Sequence, residues 1–187
     1  MVKKERRNRP HRKVAAAVLI VVEGYTEKAF LAHLKSVYDE RDSGTHVTVR
    51  NARGGSAEDV VRHAHSLLAA GGYDRCFLVM DCDRCRNTDC DQSRAGNKAI
   101  WKELESFRHE CIGSRPCIEG TLLKILDIKS SDDSQECKEA FHKHVIPENK
   151  KRLSESYAKS FPKSVLDKAR RRVAELDRLI RIFQPDR

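Results

Sequence analysis

Two short stretches carry the residue types best suited to chemistry. Val18–Glu27 reads Val-Leu-Ile-Val-Val-Glu-Gly-Tyr-Thr-Glu, and Cys76–Asp83 reads Cys-Phe-Leu-Val-Met-Asp-Cys-Asp. Each is an apolar run that ends in acid: Glu23 and Glu27 in the first, Asp81 and Asp83 in the second. Packed together without a counter-ion, four carboxylates repel and raise one another's pKa values. A hard divalent cation relieves that repulsion, and Mg2+ takes oxygen ligands, often one or two carboxylates plus waters and substrate phosphates. An ion so held polarises a phosphodiester, activates a water and stabilises the departing oxygen. Glu23 and Glu27 are therefore the candidate catalytic acids, with Glu23, Asp81 and Asp83 as candidate ligands for Mg2+ or Mn2+. Simpler roles exist for each. Glu27 suits a helix N-terminus through the macrodipole, and Asp81 and Asp83 suit a turn. Their shared position, just after a buried-strand pattern, favours the metal site.

That reading requires two strands ending at one sheet edge. Val14–Val22 is rich in β-branched residues, as a strand buried on both faces would be. Gly24 permits a tight turn, and Thr26–Tyr38 places Phe30, Leu31, Leu34, Val37 and Tyr38 on one helical face. His46–Arg50 alternates like a short strand. Arg53-Gly54-Gly55-Ser56 forms a loop, either a plain connection or a phosphate seat at a helix N-terminus. Ser56 and Asp59 make a capping pattern for a helix that runs to about Ala70 and stops at Gly71-Gly72. Cys76–Met80 is the second buried strand. A helix around Ser93–Phe107, a short strand at Glu110–Ile112 and a helix through Leu122–Leu126 follow. Strands alternating with helices imply a parallel α/β sheet.

Beyond Lys129 the strand signals vanish. Ser130–Ser134 reads as a linker, and Ser164 with Asp167 as the cap of a last helix. Its apolar residues Leu166, Ala169, Val173, Leu176, Ile180 and Phe183 form a seam that docks on the domain or pairs in a homodimer. The division expected is a basic arm over 1–13, an α/β domain over 14–128 and a basic helical extension over 129–187.

The chain of 187 residues carries a net charge of +9, which favours a polyanionic partner such as nucleic acid. Charge that merely keeps the protein dispersed is the alternative. Lys3, Lys4, Arg6 and Arg7 in the arm, Arg53 in the glycine loop, and Lys159 and Lys163 near Tyr157 are the candidate phosphate contacts; a solvated basic face explains the last two equally. No apolar run approaches the ~20 residues that span a bilayer, and Val14–Val22 flows into Glu-Gly rather than a cleavage site, so neither membrane nor export is expected. Seven cysteines without a secreted framework fit a reducing cytoplasm. Cys82 and Cys85 have Cys-x-x-Cys spacing, with Cys90 and one of Cys76, Cys111 or Cys117 to complete a set. No second pair matches, so reduced thiols are expected over a structural zinc. His63 with His65, and His142 with His144, cannot share a helix face.

Val-Val-Glu-Gly-Tyr-Thr-Glu followed by Val-Met-Asp-Cys-Asp resembles the TOPRIM domain, the metal-binding α/β module of topoisomerases, primases and OLD-type nucleases. Within that superfamily the sequence is more similar to RloB-like proteins, which are associated with bacterial restriction and phage defence. Their Ser-Asn-Pro-Cys-Phe-Glu-type segment is matched by Gly113-Ser114-Arg115-Pro116-Cys117-Ile118-Glu119, ahead of Leu122-Leu123. Thr121 stands where a tryptophan is usual, and Ile125 where a histidine is common. The resemblance covers roughly Val14–Leu126. It implies a Rossmann-like sheet flanked by helices, Glu23 as ligand or general acid/base, Asp81 and Asp83 as Mg2+ chelators, and Glu27 and Glu119 as supporting acids. The expected activity is a Mg2+-dependent DNA or RNA endonuclease. The rival is a subunit active only beside an ATPase, since this sequence contains no Gly-x-x-x-x-Gly-Lys-Ser/Thr loop.

Overall fold

The computed structural model describes residues 16–39, 44–54, 56–81 and 108–184. Four strands, β1 (Ala16–Val22), β2 (Thr45–Asn51), β3 (Arg75–Asp81) and β4 (Arg108–Ser114), form one sheet in the order β2-β1-β3-β4. Every pairing is parallel. The sequence of β1 explains its central place: from Val18 to Val22 it is apolar and buried on both faces.

The period of two sorts these side chains between two cores. Val18, Ile20 and Val22 of β1, with Phe77 and Val79 of β3, face α1 (Tyr25–Tyr38). Leu19 and Val21, with Cys76, Leu78 and Met80, face α2 (Ala57–Ala69) through Val60, Val61, Ala64 and Leu68. The chain thus departs from β1 over one face and from β2 over the other. Strand order reverses at β1, with β2 on one side of it and β3 on the other. In open parallel sheets the crevice at such a reversal, outside the carboxyl ends of the strands, is where ligands are held.

The α1 face is completed by α3 (Ile118–Ile125), α4 (Ser134–His144), α5 (Lys163–Ala169) and α6 (Ala174–Phe183). Phe141, Tyr157, Phe161, Leu176 and Phe183 belong to the same buried cluster as β1 and α1. The Phe30 ring meets Tyr157 at 5.8 Å and Phe161 at 5.5 Å between centroids. The two sides of the boundary drawn at 128/129 therefore share one core.

The expected α/β class and parallel sheet are present, and the Ser56–Asp59 capping box is complete in both directions. The C-terminal helix differs from expectation. Instead of one helix capped by Ser164 there are two, and Pro162 rather than Ser164 stands at the start of α5 with no side-chain cap. Asp167 is occupied elsewhere, accepting a 2.7 Å hydrogen bond from the Tyr38 hydroxyl. Arg172 lies at the break, and its guanidinium donates to the Lys124 and Ile125 carbonyls at the end of α3. The Lys124 carbonyl also accepts the Asp127 N–H at 3.1 Å, so Arg172 adds to the bonding at the end of α3 and ties the junction of α5 and α6 to it. All six seam residues are buried within this chain, which leaves that seam no apolar face for a partner helix. The arm, the Cys82–Cys90 loop and the Ser93–Phe107 helix lie outside the described residues. No helix among the described residues is long and apolar enough to cross a membrane.

Candidate metal centre at the sheet edge

The carboxyl ends of β1 and β3 lie side by side, with Val22 paired to Val79. Glu23 continues this pairing: its backbone N–H donates to the Val79 carbonyl at 3.1 Å, and its carboxylate accepts the Asp81 N–H at 3.2 Å. The two sequence-predicted acids are thereby fastened to each other. Asp81 in turn accepts the Ile118 N–H at 2.8 Å. That N–H is one of the unmatched donors at the start of α3, so a helix N-terminus points at a carboxylate.

Alternation along β3 carries Asp81 to the same face as Phe77 and Val79, the side covered by α1 and α3. Glu27 reaches it from the first turn of α1, and Glu119 from the first turn of α3. Both are buried. Ligating atoms of Asp81, Cys117 and Glu119 all lie within 4.8 Å of one another. Glu119 is 4% exposed, and its Oε2 has no hydrogen-bond partner. The Thr121 hydroxyl, two residues on, is likewise buried and unpartnered. An unmatched carboxylate oxygen is costly in a protein interior, and a cation beside Asp81 would satisfy it.

Electrostatics mark the same place. The Glu27 carboxyl is pushed up to about 8, chiefly by burial and then by the charges of Asp81, Glu119 and Glu23, against a lowering hydrogen bond from its own backbone. Asp81 is pushed up to about 7 by burial, then by Glu119 and Glu23; the Ile118 N–H and Lys138 oppose this. Burial raises the Cys117 thiol to about 12. Lys138, on α4, is pulled down by burial, yet the charges of Glu119, Asp81, Cys117 and Glu23 outweigh that and hold it above its ordinary value. The cluster thus carries its own ammonium.

Gly24 makes room for this packing. A Cβ there would stand 2.8 Å from Glu27 Oε2, so any other residue would push the end of that side chain from its place. Glu27 therefore does more than favour a helix N-terminus.

The structure brings together Glu23, Glu27, Asp81 and Glu119; Asp83 lies outside the described residues. Arg53 is placed at the rim: it is exposed, and the next residue, Gly54, donates its N–H to the Glu23 carbonyl at 2.8 Å. Asn51, at the end of β2, has a buried side-chain amide nitrogen without a partner. Lys163 is held apart from this site. Its ammonium lies 4.3 Å from the centroid of Tyr38, at the far end of α1, and pairs with Asp167 at 3.7 Å. Lys159 is exposed between the buried Tyr157 and Phe161. Lys3, Lys4, Arg6 and Arg7 are outside the described residues, as are Cys82, Cys85 and Cys90. Of the alternative fourth ligands, Cys76 and Cys117 sit in different cores, on opposite faces of the sheet.

Two members of the cluster were not legible as such. Cys117 stands in the sequence as a possible zinc ligand and as the cysteine of the Gly113–Glu119 segment, with no role assigned beside Asp81 and Glu119. Lys138 gave no signal, because only the packing of α4 on α3 brings it to the acids.

Comparison with known proteins yields a match to the family described as RloB-like protein over residues 18–181. That span includes both acid-tipped strands, α3 and most of the C-terminal helices. No curated protein and no solved structure matches.

Proposed function

The chain belongs to the RloB-like protein family, and from that membership and the acidic crevice we propose that it is a metal-dependent phosphodiesterase, a DNA or RNA endonuclease of the TOPRIM kind. The observation that carries the proposal is the buried, partnerless Glu119 oxygen beside Asp81, with Glu23 and Glu27 in the same electrostatic cluster. Asp81, Glu119 and Glu23 would hold Mg2+ or Mn2+, with Asp83 following Asp81 in the sequence. When bound, the ion supplies charge neutralisation at the phosphate and a water of lowered pKa.

The protein's own residues account for the remainder of the work. Glu27 would serve as the proton-transfer group beside the ion, donating to a leaving oxygen when protonated or accepting from water when ionised. Lys138 keeps a positive charge beside Glu119 and limits repulsion while the crevice contains no cation. Arg53 and the excess of basic residues draw a phosphate backbone towards an otherwise acidic site.

The family resemblance extends the proposal to phage defence. The second reading, a subunit silent without an ATPase partner, is separated by adding such a partner. The test is a panel of DNA and RNA substrates with Mg2+ and Mn2+, comparing wild type with Glu23→Ala and Asp81→Asn. A loss on the order of 100-fold or more is expected for each variant. Full activity in either variant, or no divalent-metal binding by the native protein in calorimetry, would sink the proposal.

A further inference from the structure

Tyr25 lies two residues past Glu23, at the first position of α1, and is 41% exposed. Leu153 is 44% exposed. Among the described residues these are the exposed large apolar side chains, and a single arginine links them. The Arg152 guanidinium stands over the Tyr25 ring, 4.2 Å from its centroid. Leu153 follows it in the chain.

Isolated exposed apolar residues need no explanation. This pair differs because its backbone is tied down. The Tyr157 hydroxyl, on a ring buried against Phe30, donates to the Lys151 carbonyl at 3.0 Å. Lys151 pairs with Glu148 at 3.0 Å, and the Leu153 N–H donates to Lys150 at 3.0 Å. A segment tied at Lys150 and Lys151 thus carries Arg152, which meets the Tyr25 ring, and the exposed Leu153, while Tyr25 itself begins the helix whose first turn brings Glu27 to the acid cluster. None of Tyr25, Arg152 and Leu153 is consumed by the core.

Arg53, whose neighbour Gly54 donates to the Glu23 carbonyl, is exposed, and so are Lys150 and Arg152 in the segment that meets the Tyr25 ring. An aromatic face with a cationic partner, bordering a basic path, is how bases are held when strands are single: stacking tolerates any base, and arginine adds a cation–π contribution. In a duplex the base faces are already stacked, and only edges are available.

We propose that Tyr25, with Arg152 and Leu153 beside it, is a stacking platform for an unpaired nucleobase next to the phosphate at the Glu23–Asp81 crevice. The substrate is then single-stranded or looped nucleic acid rather than continuous duplex. This rests on the phosphodiesterase reading for the identity of the crevice, but the platform itself makes a separate, measurable claim about binding.

The test measures affinity by fluorescence anisotropy in Ca2+, chosen to suppress cleavage, and rates in Mn2+. The probes are single-stranded DNA, single-stranded RNA and a blunt duplex, with matched strands carrying one abasic position. Tyr25→Ala should weaken single-strand binding roughly 10-fold or more, within the range for loss of one base–aromatic stack. Tyr25→Phe should bind like wild type. Scanned along the strand, one abasic position should weaken wild-type binding while costing Tyr25→Ala nothing further. The DNA and RNA arms show which strand the platform accepts. Unchanged affinity in Tyr25→Ala, equal losses on duplex and single strand, or additive effects of variant and abasic site would overturn the platform. Cleavage abolished by Asp81→Asn but untouched by Tyr25→Ala would leave the nuclease reading standing alone. Tyr25-dependent binding by a protein that cleaves nothing would uphold the platform and remove the nuclease.

Discussion

In the metal-free protein, stability should fall as pH rises from 6 to 8, and Glu27→Gln should remove much of that fall. Folding moves the Glu27 carboxyl from an ordinary 4.5 to about 8. Between those values the unfolded chain has released the proton while the folded chain still binds it. Deprotonation therefore favours unfolding, and the loss is complete only once pH has passed 8. The slope is at most about 1.4 kcal/mol per pH unit for one such group. Asp81, raised from 3.8 to about 7, acts in the same direction below 7. The two carboxyls feel each other's charge, so the measured slope belongs to the pair. From pH 6 to 7 Glu27 alone should cost about 1 kcal/mol, or roughly 2–4 °C in Tm for a chain of this size. Thermal unfolding followed by circular dichroism in EDTA at pH 6, 7 and 8 reads this directly. Glutamine matches the carboxyl in shape and carries no charge, so Glu27→Gln should show a flatter profile and exceed wild type at pH 8. A wild-type Tm that is level or rising over this range, with Glu27→Gln following the same curve, would refute the buried-carboxylate reasoning.

Two further outcomes test the site's construction. Gly24→Ala should fold but lose metal-dependent activity by about 10-fold or more, because the added Cβ meets Glu27 Oε2 at 2.8 Å and drives the carboxylate from its place; side-by-side rates and Tm values check both halves. Cys117→Ser should shift the preference from Zn2+ or Mn2+ towards Mg2+, since a sulfur within 4.8 Å of the Asp81 and Glu119 oxygens favours thiophilic ions; competition calorimetry with the three metals measures it.

The fold was readable wherever one physical signal dominated. Val18–Val22 and Cys76–Met80 are unbroken apolar runs, and only strands covered on both faces are built that way. Acids placed just beyond them had to emerge at the sheet edge, so Glu23 and Asp81 followed from the pattern. Glu119 did not. Nothing in its own turn of sequence separates it from a glutamate favouring a helix N-terminus, and only the resemblance singled it out. The C-terminal seam shows the opposite failure. Its spacing was correctly apolar, but periodicity cannot report that the chain turns between Ala169 and Ala174, where Arg172 reaches the carbonyls ending α3, so one helix was expected where two stand. Lys138 lay beyond sequence reasoning for a related cause: its neighbours Asp81 and Glu119 come from separate elements, and α4 meets them only through the tertiary packing.

The acid cluster also answers a question its own charge raises, namely how the crevice persists when no cation is bound. Coulomb repulsion among Glu23, Glu27, Asp81 and Glu119 should open it, yet four counterweights converge there. The N-terminus of α1 receives Glu27 in its first turn, and that of α3 delivers the Ile118 N–H to Asp81 at 2.8 Å. Each brings partial positive charge of the kind a helix start presents to an anion. Lys138 adds a whole charge, and the raised pKa of Glu27 removes one negative charge near neutral pH. The two roles open to Glu27 in the sequence are then one role. A carboxylate that favours the start of α1 must, in this topology, also stand in the crevice, because α1 begins where β1 ends and the strand order reverses.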